Sequence, residues 1–254
     1  MFVVISAFLM LIFIASRKRF TGFLAWLFLS IEFLSRIPYF LSIRDYFNTA
    51  VFSAASAFFV LVGFTVLKCR RLDVLVQTSS FSLLAILFYF PFSLNDFLKY
   101  RLIETVVDNT VLIGNALGYP LKKISKNLII LNGRVIEIIL ACTGIESMSL
   151  FAGATLGIRA GVDRKLKAFL ISVPTIYVLN LFRNVFVIVS YGFSWFGQNS
   201  FYIAHHVISK TLALAALILI TLAVFRILPE LENLIYNLKD EISGVLGYDR
   251  GKRD

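Results

Sequence analysis

Cysteine is nearly missing from this chain. Cys69 and Cys142 are the only two in 254 residues, and His205 and His206 are the only histidines. Adjacent histidines point to different faces of a helix, and no other cluster of metal-type residues supports a metal site. No cofactor is expected. Charge is thin as well: Asp, Glu, Lys and Arg make up 16% of the residues, against roughly a quarter in soluble domains. The low charge excludes an ordinary water-soluble domain. Internal repeats, low-complexity stretches and nucleic-acid-binding motifs are also missing.

What the chain has instead is apolar surface. It is 59% hydrophobic, with a mean hydropathy of +0.84. Several apolar runs approach or reach the roughly 20 helical residues that cross a bilayer core. They are continuous, whereas a membrane barrel shows alternating segments of about ten residues. The expected fold is an all-α polytopic membrane protein of about seven transmembrane helices. The candidate spans are 2–15, 20–34, 49–67, 79–94, 142–158, 167–191 and 203–227. A signal peptide is the rival reading of 2–15, but that run has no basic segment before it. The expected organisation is a transmembrane catalytic domain over 1–228, with an outer segment at 95–141, and a cytoplasmic amphipathic tail over 229–254.

The net charge of +10 would suggest nucleic acid in a soluble protein. Here the basic residues cluster between apolar runs, so topology and lipid headgroups account for them and no nucleic-acid partner is expected. Arg17, Lys18 and Arg19 follow the first run. Lys68, Arg70 and Arg71 follow the third. Arg159, Arg164, Lys165 and Lys167 follow the fifth, and Arg250, Lys252 and Arg253 close the tail. With seven spans all four groups share one side. The positive-inside rule makes that side cytoplasmic, the N-terminus external and the C-terminus internal. The outer segment also carries basic residues, partly offset by Asp96, Glu104, Asp108 and Glu137. Within it, 96–117 reads as a helix. Asn132-Gly133 reads as the two-residue turn of a β-hairpin over 127–140.

This topology puts Cys69 inside and Cys142 at the outer face, so the bilayer keeps them from pairing. Alone, Cys142 reads first as a small buried hydrophobe. Arg183 and Asn184 interrupt an apolar span, and an intramembrane arginine is a functional signal by default. Arg183 precedes Tyr191 by eight residues, or roughly 12 Å, which places it in the outer half. Asn180 lies one turn below on the same face. His205 and His206 open the last span. Cysteine, arginine and histidine thus converge at one depth on one side. An imidazole can take a thiol proton, a thiolate is a nucleophile, and a nearby cation stabilises the thiolate or an oxyanion.

Three motifs carry a resemblance: "ACTGIES" at 141–147, "NLFRN" at 180–184 and "AHHVIS" at 204–209. Together they resemble the exosortase/archaeosortase family of membrane cysteine transpeptidases, with Thr143 and Glu146 closer to the archaeal branch. The resemblance covers the chain from about residue 79 onward. It implies Cys142 as nucleophile, Arg183 as the stabilising cation and His205 as base, with Asn180 and Asn184 in support. Glu146 would orient the arginine or serve as an interior polar residue. The family often has a glycine four positions after its histidine. Ser209 stands there instead, which keeps His206 as an alternative base.

The resemblance further implies substrates that are secreted proteins ending in a short motif, a transmembrane helix and a basic cluster. The acyl group would pass through a thioester at Cys142 to an acceptor, a membrane lipid in the archaeal branch. The protein would lie in the cell membrane with its site facing outward. Rival readings are a transporter or assembly scaffold using Arg183 in packing, and a membrane protease using water as acceptor.

Overall fold

The computed structural model describes residues 2–247. The basic residues Arg250, Lys252 and Arg253 lie outside the described residues. The chain is mostly helical. Five helical stretches are long and apolar enough to cross a membrane: Arg19–Ser42, Tyr46–Lys68, Leu72–Leu94, Val162–Gly192 and Gly197–Ile227. Two of the expected spans form shorter helices. Helix α1 covers Phe2–Ser16, 15 residues. The run at 142–158 is helical only over Ile145–Leu156, 12 residues, or about 18 Å against a hydrocarbon core of about 30 Å. The cause is local backbone. A 3₁₀ turn takes up Leu140–Cys142, and Gly144 then adopts φ +78°, a conformation open to glycine.

The remaining helices are α2 (Arg19–Leu34), α3 (Ile37–Ser42), α4 (Tyr46–Lys68), α5 (Leu72–Leu94) and α6 (Asp96–Ala116). A small sheet follows: β1 (Lys122–Lys123), β2 (Leu128–Leu131) and β3 (Arg134–Glu137). Then come α7 (Ile145–Leu156), α8 (Val162–Gly192), the single turn α9 (Ser200–Tyr202), a π-helical turn at Ile203–Ile208, α10 (Ser209–Ile227) and α11 (Pro229–Val245).

The chain forms two compact units. One comprises the described parts of residues 1–87, 153–161 and 229–254. With water absent from the hydrocarbon, small side chains and interhelical hydrogen bonds tie membrane helices together. Ser6 Oγ donates to the Ala25 carbonyl, Trp26 Nε1 donates to Ser79 Oγ, and Ser30 and Ser56 share a bond between hydroxyls. Gly153 and Gly157 let α7 meet α5 backbone to backbone. A Cβ at either would stand 2.6 Å from Phe81 O or Phe81 Cα, respectively. Three of the basic groups gather at one end of this unit. Arg17 and Arg159 both pair with Asp73, Arg19 donates to the Leu67 and Cys69 carbonyls, and Arg71 pairs with Glu241 of α11.

The other unit comprises residues 88–152 and 162–228. Its core is Ile103, Val106 and Val107 from α6, Leu121, Ile129, Leu131, Ile136 and Ile138 from the sheet region, and Leu181, Val185, Ile188 and Val189 from α8. Strands β2 and β3 pair antiparallel around Asn132 and Gly133, both at positive φ, and β1 adds a third strand beside β2. The turn caps α8. Arg134 Nη1 donates to the Tyr191 carbonyl at 2.7 Å and its guanidinium covers the Tyr191 ring, while Asn132 reaches the Gly192 carbonyl. Those carbonyls have no intrahelical partner. The sheet therefore fixes the end of α8 and, through the turn after β3, the entry to α7.

Candidate active site

Cys142 ends the 3₁₀ turn that follows β3, half-buried against the α6–sheet–α8 core. Two side chains from successive turns of α8 hold its backbone. Asn180 Nδ2 donates to the Cys142 carbonyl at 2.8 Å and Asn184 Nδ2 donates to the same oxygen at 3.0 Å. Residues four apart on a helix face one way, so one carbonyl can receive both amides. Gly144 makes the approach possible. A Cβ there would lie 3.1 Å from Asn180 Cγ. Thr143 Oγ1 donates to the Leu140 carbonyl and accepts from the Ile145 N–H. The thiol thus stands at the entrance of α7 on a backbone pinned from two directions. Cys142 is a free cysteine, as is the buried Cys69.

Arg183 lies between Asn180 and Asn184 in sequence and turns toward the π-helical turn. Its Nη2 reaches His205 Nδ1 at 3.4 Å. Arginine only donates, so Nδ1 accepts and a neutral His205 carries its proton on Nε2. Phe201 stacks on the His205 ring with centroids 5.2 Å apart, and His206 meets its edge at 4.7 Å. The π turn widens the helix here, a distortion that recurs at functional sites. It carries both histidines: His205 contacts Arg183, and His206 is exposed, beside Tyr202.

Among the described residues, no hydrogen bond joins Cys142 Sγ to His205 directly. What joins them is α8: Asn180 and Asn184 hold the Cys142 carbonyl, and Arg183 between them reaches His205. Glu146 is not brought to Arg183: its side chain is exposed to the surroundings of α7 and forms no ion pair with the guanidinium. The orienting role expected for it is absent from this arrangement. Below Arg183 a cavity of about 360 Å³ opens between α8 and α10, with Gly144, Asn180, Arg183 and Ser209 at one end.

Residues 1–225 match the family model described as transmembrane exosortase. The chain belongs to the transmembrane exosortase family. Archaeosortase A of Haloferax volcanii is 33% identical over 168 residues, covering 56% of this chain and 55% of that protein. The chain thus spans about half the length of that relative. Archaeosortase A of Natronomonas pharaonis is 26% identical over 267 residues, covering 93% of this chain and 82% of that protein. No solved structure matches. Family membership places the chain among multi-pass membrane proteins, and the residues gathered around Cys142, Arg183 and His205 lie within the matched region.

Proposed function

We propose that this protein is a cysteine transpeptidase of the archaeosortase type, embedded in the cell membrane with its site on the outer face. The observation that carries this reading is the joint fixing of Cys142 by Asn180 and Asn184 and of His205 by Arg183, all from one short stretch of α8. The gathering of Arg17, Arg71 and Arg159 at one end of their unit supports a cytoplasmic assignment for that end. Helix α8 carries Arg164, Lys165 and Lys167 near its start, and Arg183 comes 16 residues after the last of them, about 24 Å along the helix. That rise supports an extracytoplasmic site. Seven crossings, counting α1 and the whole run 140–158 of which α7 is the helical part, put the N-terminal side outside and residues 229–247 inside.

The substrates are secreted proteins whose C-terminal sorting signal combines a short motif, a transmembrane helix and a basic cluster. His205 takes the Cys142 thiol proton on Nδ1, which Arg183 frees by turning to the developing oxyanion. The thiolate attacks the scissile carbonyl, and Arg183 meets the negative charge on its oxygen. The C–N bond breaks, the leaving amine takes the proton from His205, and a thioester remains on Cys142. A nucleophilic group of the acceptor, a membrane lipid, gives its proton to His205 and displaces the thiol. Both Asn residues keep the Cys142 backbone still throughout. Asn180, Asn184 and Gly144 are therefore positioning residues, and Cys142, Arg183 and His205 the catalytic ones.

The test is to replace Cys142 by Ala in cells and follow the size of secreted proteins that end in an apolar helix. Precursors accumulate if the reading holds. Normal processing would return Arg183 to a packing role in a scaffold or transporter.

A further inference from the structure

The hairpin has an open side, and that side leads to Cys142. Residues of an antiparallel strand alternate between bonding the partner strand and turning their N–H and C=O away from it. Arg134 pairs with Leu131 across the two-residue turn, Ile136 lies opposite Ile129, and the Ile138 N–H donates to the Asn127 carbonyl at 2.8 Å. These three residues therefore face β2, and Val135, Glu137 and Ile139 turn their backbone groups outward. Among the described residues, none of the three outward N–H groups has a hydrogen-bond partner, and neither have the Val135 and Glu137 carbonyls. The Ile139 carbonyl accepts from the Cys142 N–H. Ile139 is itself extended, at φ −106° and ψ 172°. The edge thus keeps strand geometry to within three residues of Cys142.

An unpaired strand edge is a template for another strand, and proteins blunt such edges with lysine, proline or short length. The far edge of this sheet is blunted: β1 is the pair Lys122–Lys123. The β3 edge is not. Val135 and Ile139 are 46% and 50% exposed. The two charged side chains of β3 are turned elsewhere, Arg134 onto the Tyr191 carbonyl and Glu137 onto Asn127. Helix α6 packs against β1 and β2, and α8 against β2 and β3, so the open edge faces away from α6. On that side Arg134 covers the Tyr191 ring, Tyr191 meets Phe201, and Phe201 stacks on His205. An occupant of the edge therefore lies on the histidine's side of β3.

Direction follows from α8. The hairpin turn is fixed at Tyr191 and Gly192, while Cys142 is held at Asn180 and Asn184. From Tyr191 to Asn184 is 7 residues, about 10 Å along the helix. Strand β3 descends by that much from the outer end of α8 toward the membrane. A secreted protein with a C-terminal membrane helix descends the same way, its folded part outside and its helix after the scissile bond. We propose that the residues just before the scissile bond add to β3 as a parallel strand, which brings that bond to Cys142. This rests on the transpeptidase reading above and gives its substrate a place to dock. Main-chain bonds of this kind hold an extended segment, and the side chains that flank it set preference.

The test uses the full-length protein in its membrane with Cys142→Ala, so that substrate is not consumed. The probe is a tagged secreted protein of the source cell whose sequence ends in an apolar helix and a basic cluster. A photoreactive benzoylphenylalanine is placed at Val135, at Ile139 or, on the blunted edge, at Lys122. Crosslinks from Val135 and Ile139 should map to the residues before the probe's helix. Those from Val135 should fall farther from the helix than those from Ile139, and Lys122 should give few. A second measurement uses processing rates with Cys142 intact. Proline at 135 removes an N–H that β2 does not use, so Val135→Pro should be slower than Val135→Ala by about fivefold or more. The proposal is overturned if the two crosslink positions come in the reverse order or coincide, or if Lys122 labels as strongly. It is also overturned if Val135→Pro processes as fast as Val135→Ala, or if Val135 crosslinks to a second copy of this chain instead of the probe. Ordered crosslinks with normal processing by Cys142→Ala cells would sink the catalytic reading and leave the docking edge standing. Lost processing in those cells without the crosslinks would sink the docking edge alone.

Discussion

Asn180 donates its side-chain amide to the Cys142 carbonyl at 2.8 Å, across 38 positions of sequence. Asn184 shares that acceptor, so the oxygen keeps one bond when either residue is lost. Each single alanine variant should slow substrate processing by about fivefold to tenfold, the worth of roughly 1 kcal/mol for one hydrogen bond. The double variant leaves a carbonyl beside the core unpaired and should cost more than the product of the two. Initial processing rates of the four proteins in membranes check this; strictly multiplicative effects would show that the two amides act independently.

Gly144 is required twice over, by φ +78° and by the closeness of Asn180. Gly118 also has a left-handed φ, of +87°, but nothing lies within 4 Å of a Cβ there. Both Ala variants carry backbone strain of about 1–2 kcal/mol. Only Gly144→Ala should push Asn180 off the Cys142 carbonyl. Comparable thermal stabilities with a processing defect confined to Gly144→Ala are expected.

Arg183→Lys keeps the charge but loses the planar fork that reaches His205. Processing should fall by about tenfold or more, with the protein still folded by size-exclusion chromatography. Rates near the parent's would show that a point charge suffices.

The α11 contact gives a pH dependence. Burial pushes the Glu241 carboxyl up, but the Arg71 guanidinium and the N–H of Arg70 hold it net below its usual 4.5. A carboxyl lowered in the folded state contributes stability that is complete above its unfolded value. That contribution is lost as pH falls through the folded value. The thermal midpoint of purified protein should therefore drop as pH falls below about 4.5. Glu241→Gln should start lower at pH 7 and lose less on acidification. A parallel fall in both proteins would locate the acid sensitivity elsewhere.

Long apolar helices were legible because hydropathy averages over many residues, and Asn132-Gly133 was legible because few turns accept two positive φ angles. The run at 142–158 was read as a span for the same reason that others were. Its apolar content is real, but the 3₁₀ turn and Gly144 shorten the helix, and average hydropathy does not register backbone angles. The motifs brought Cys142, Arg183, His205, Asn180 and Asn184 to notice as separate segments. The partner of both asparagines is a backbone carbonyl, which every residue carries and no sequence pattern marks. Glu146 drew notice through the resemblance and its place one turn after Cys142, yet it forms no ion pair with Arg183 in the structure. The close approach of Gly153 and Gly157 to Phe81 of α5 was not read from the sequence, because the partner is found only in three dimensions. Ser209 was visible as a departure from the family's glycine, and the structure buries it at the start of α10.

The central claim is that Cys142 forms a covalent acyl intermediate. The direct measurement is intact-protein and peptide mass spectrometry after mixing the protein in membranes with a candidate sorting-signal substrate, with rapid acid quenching. The account predicts an adduct on the peptide bearing Cys142, equal in mass to the substrate portion before the cleavage point, released by hydroxylamine and enriched when acceptor is withheld. Substrate turnover with no such adduct, and with a Cys142→Ala variant as active as the parent, would contradict it.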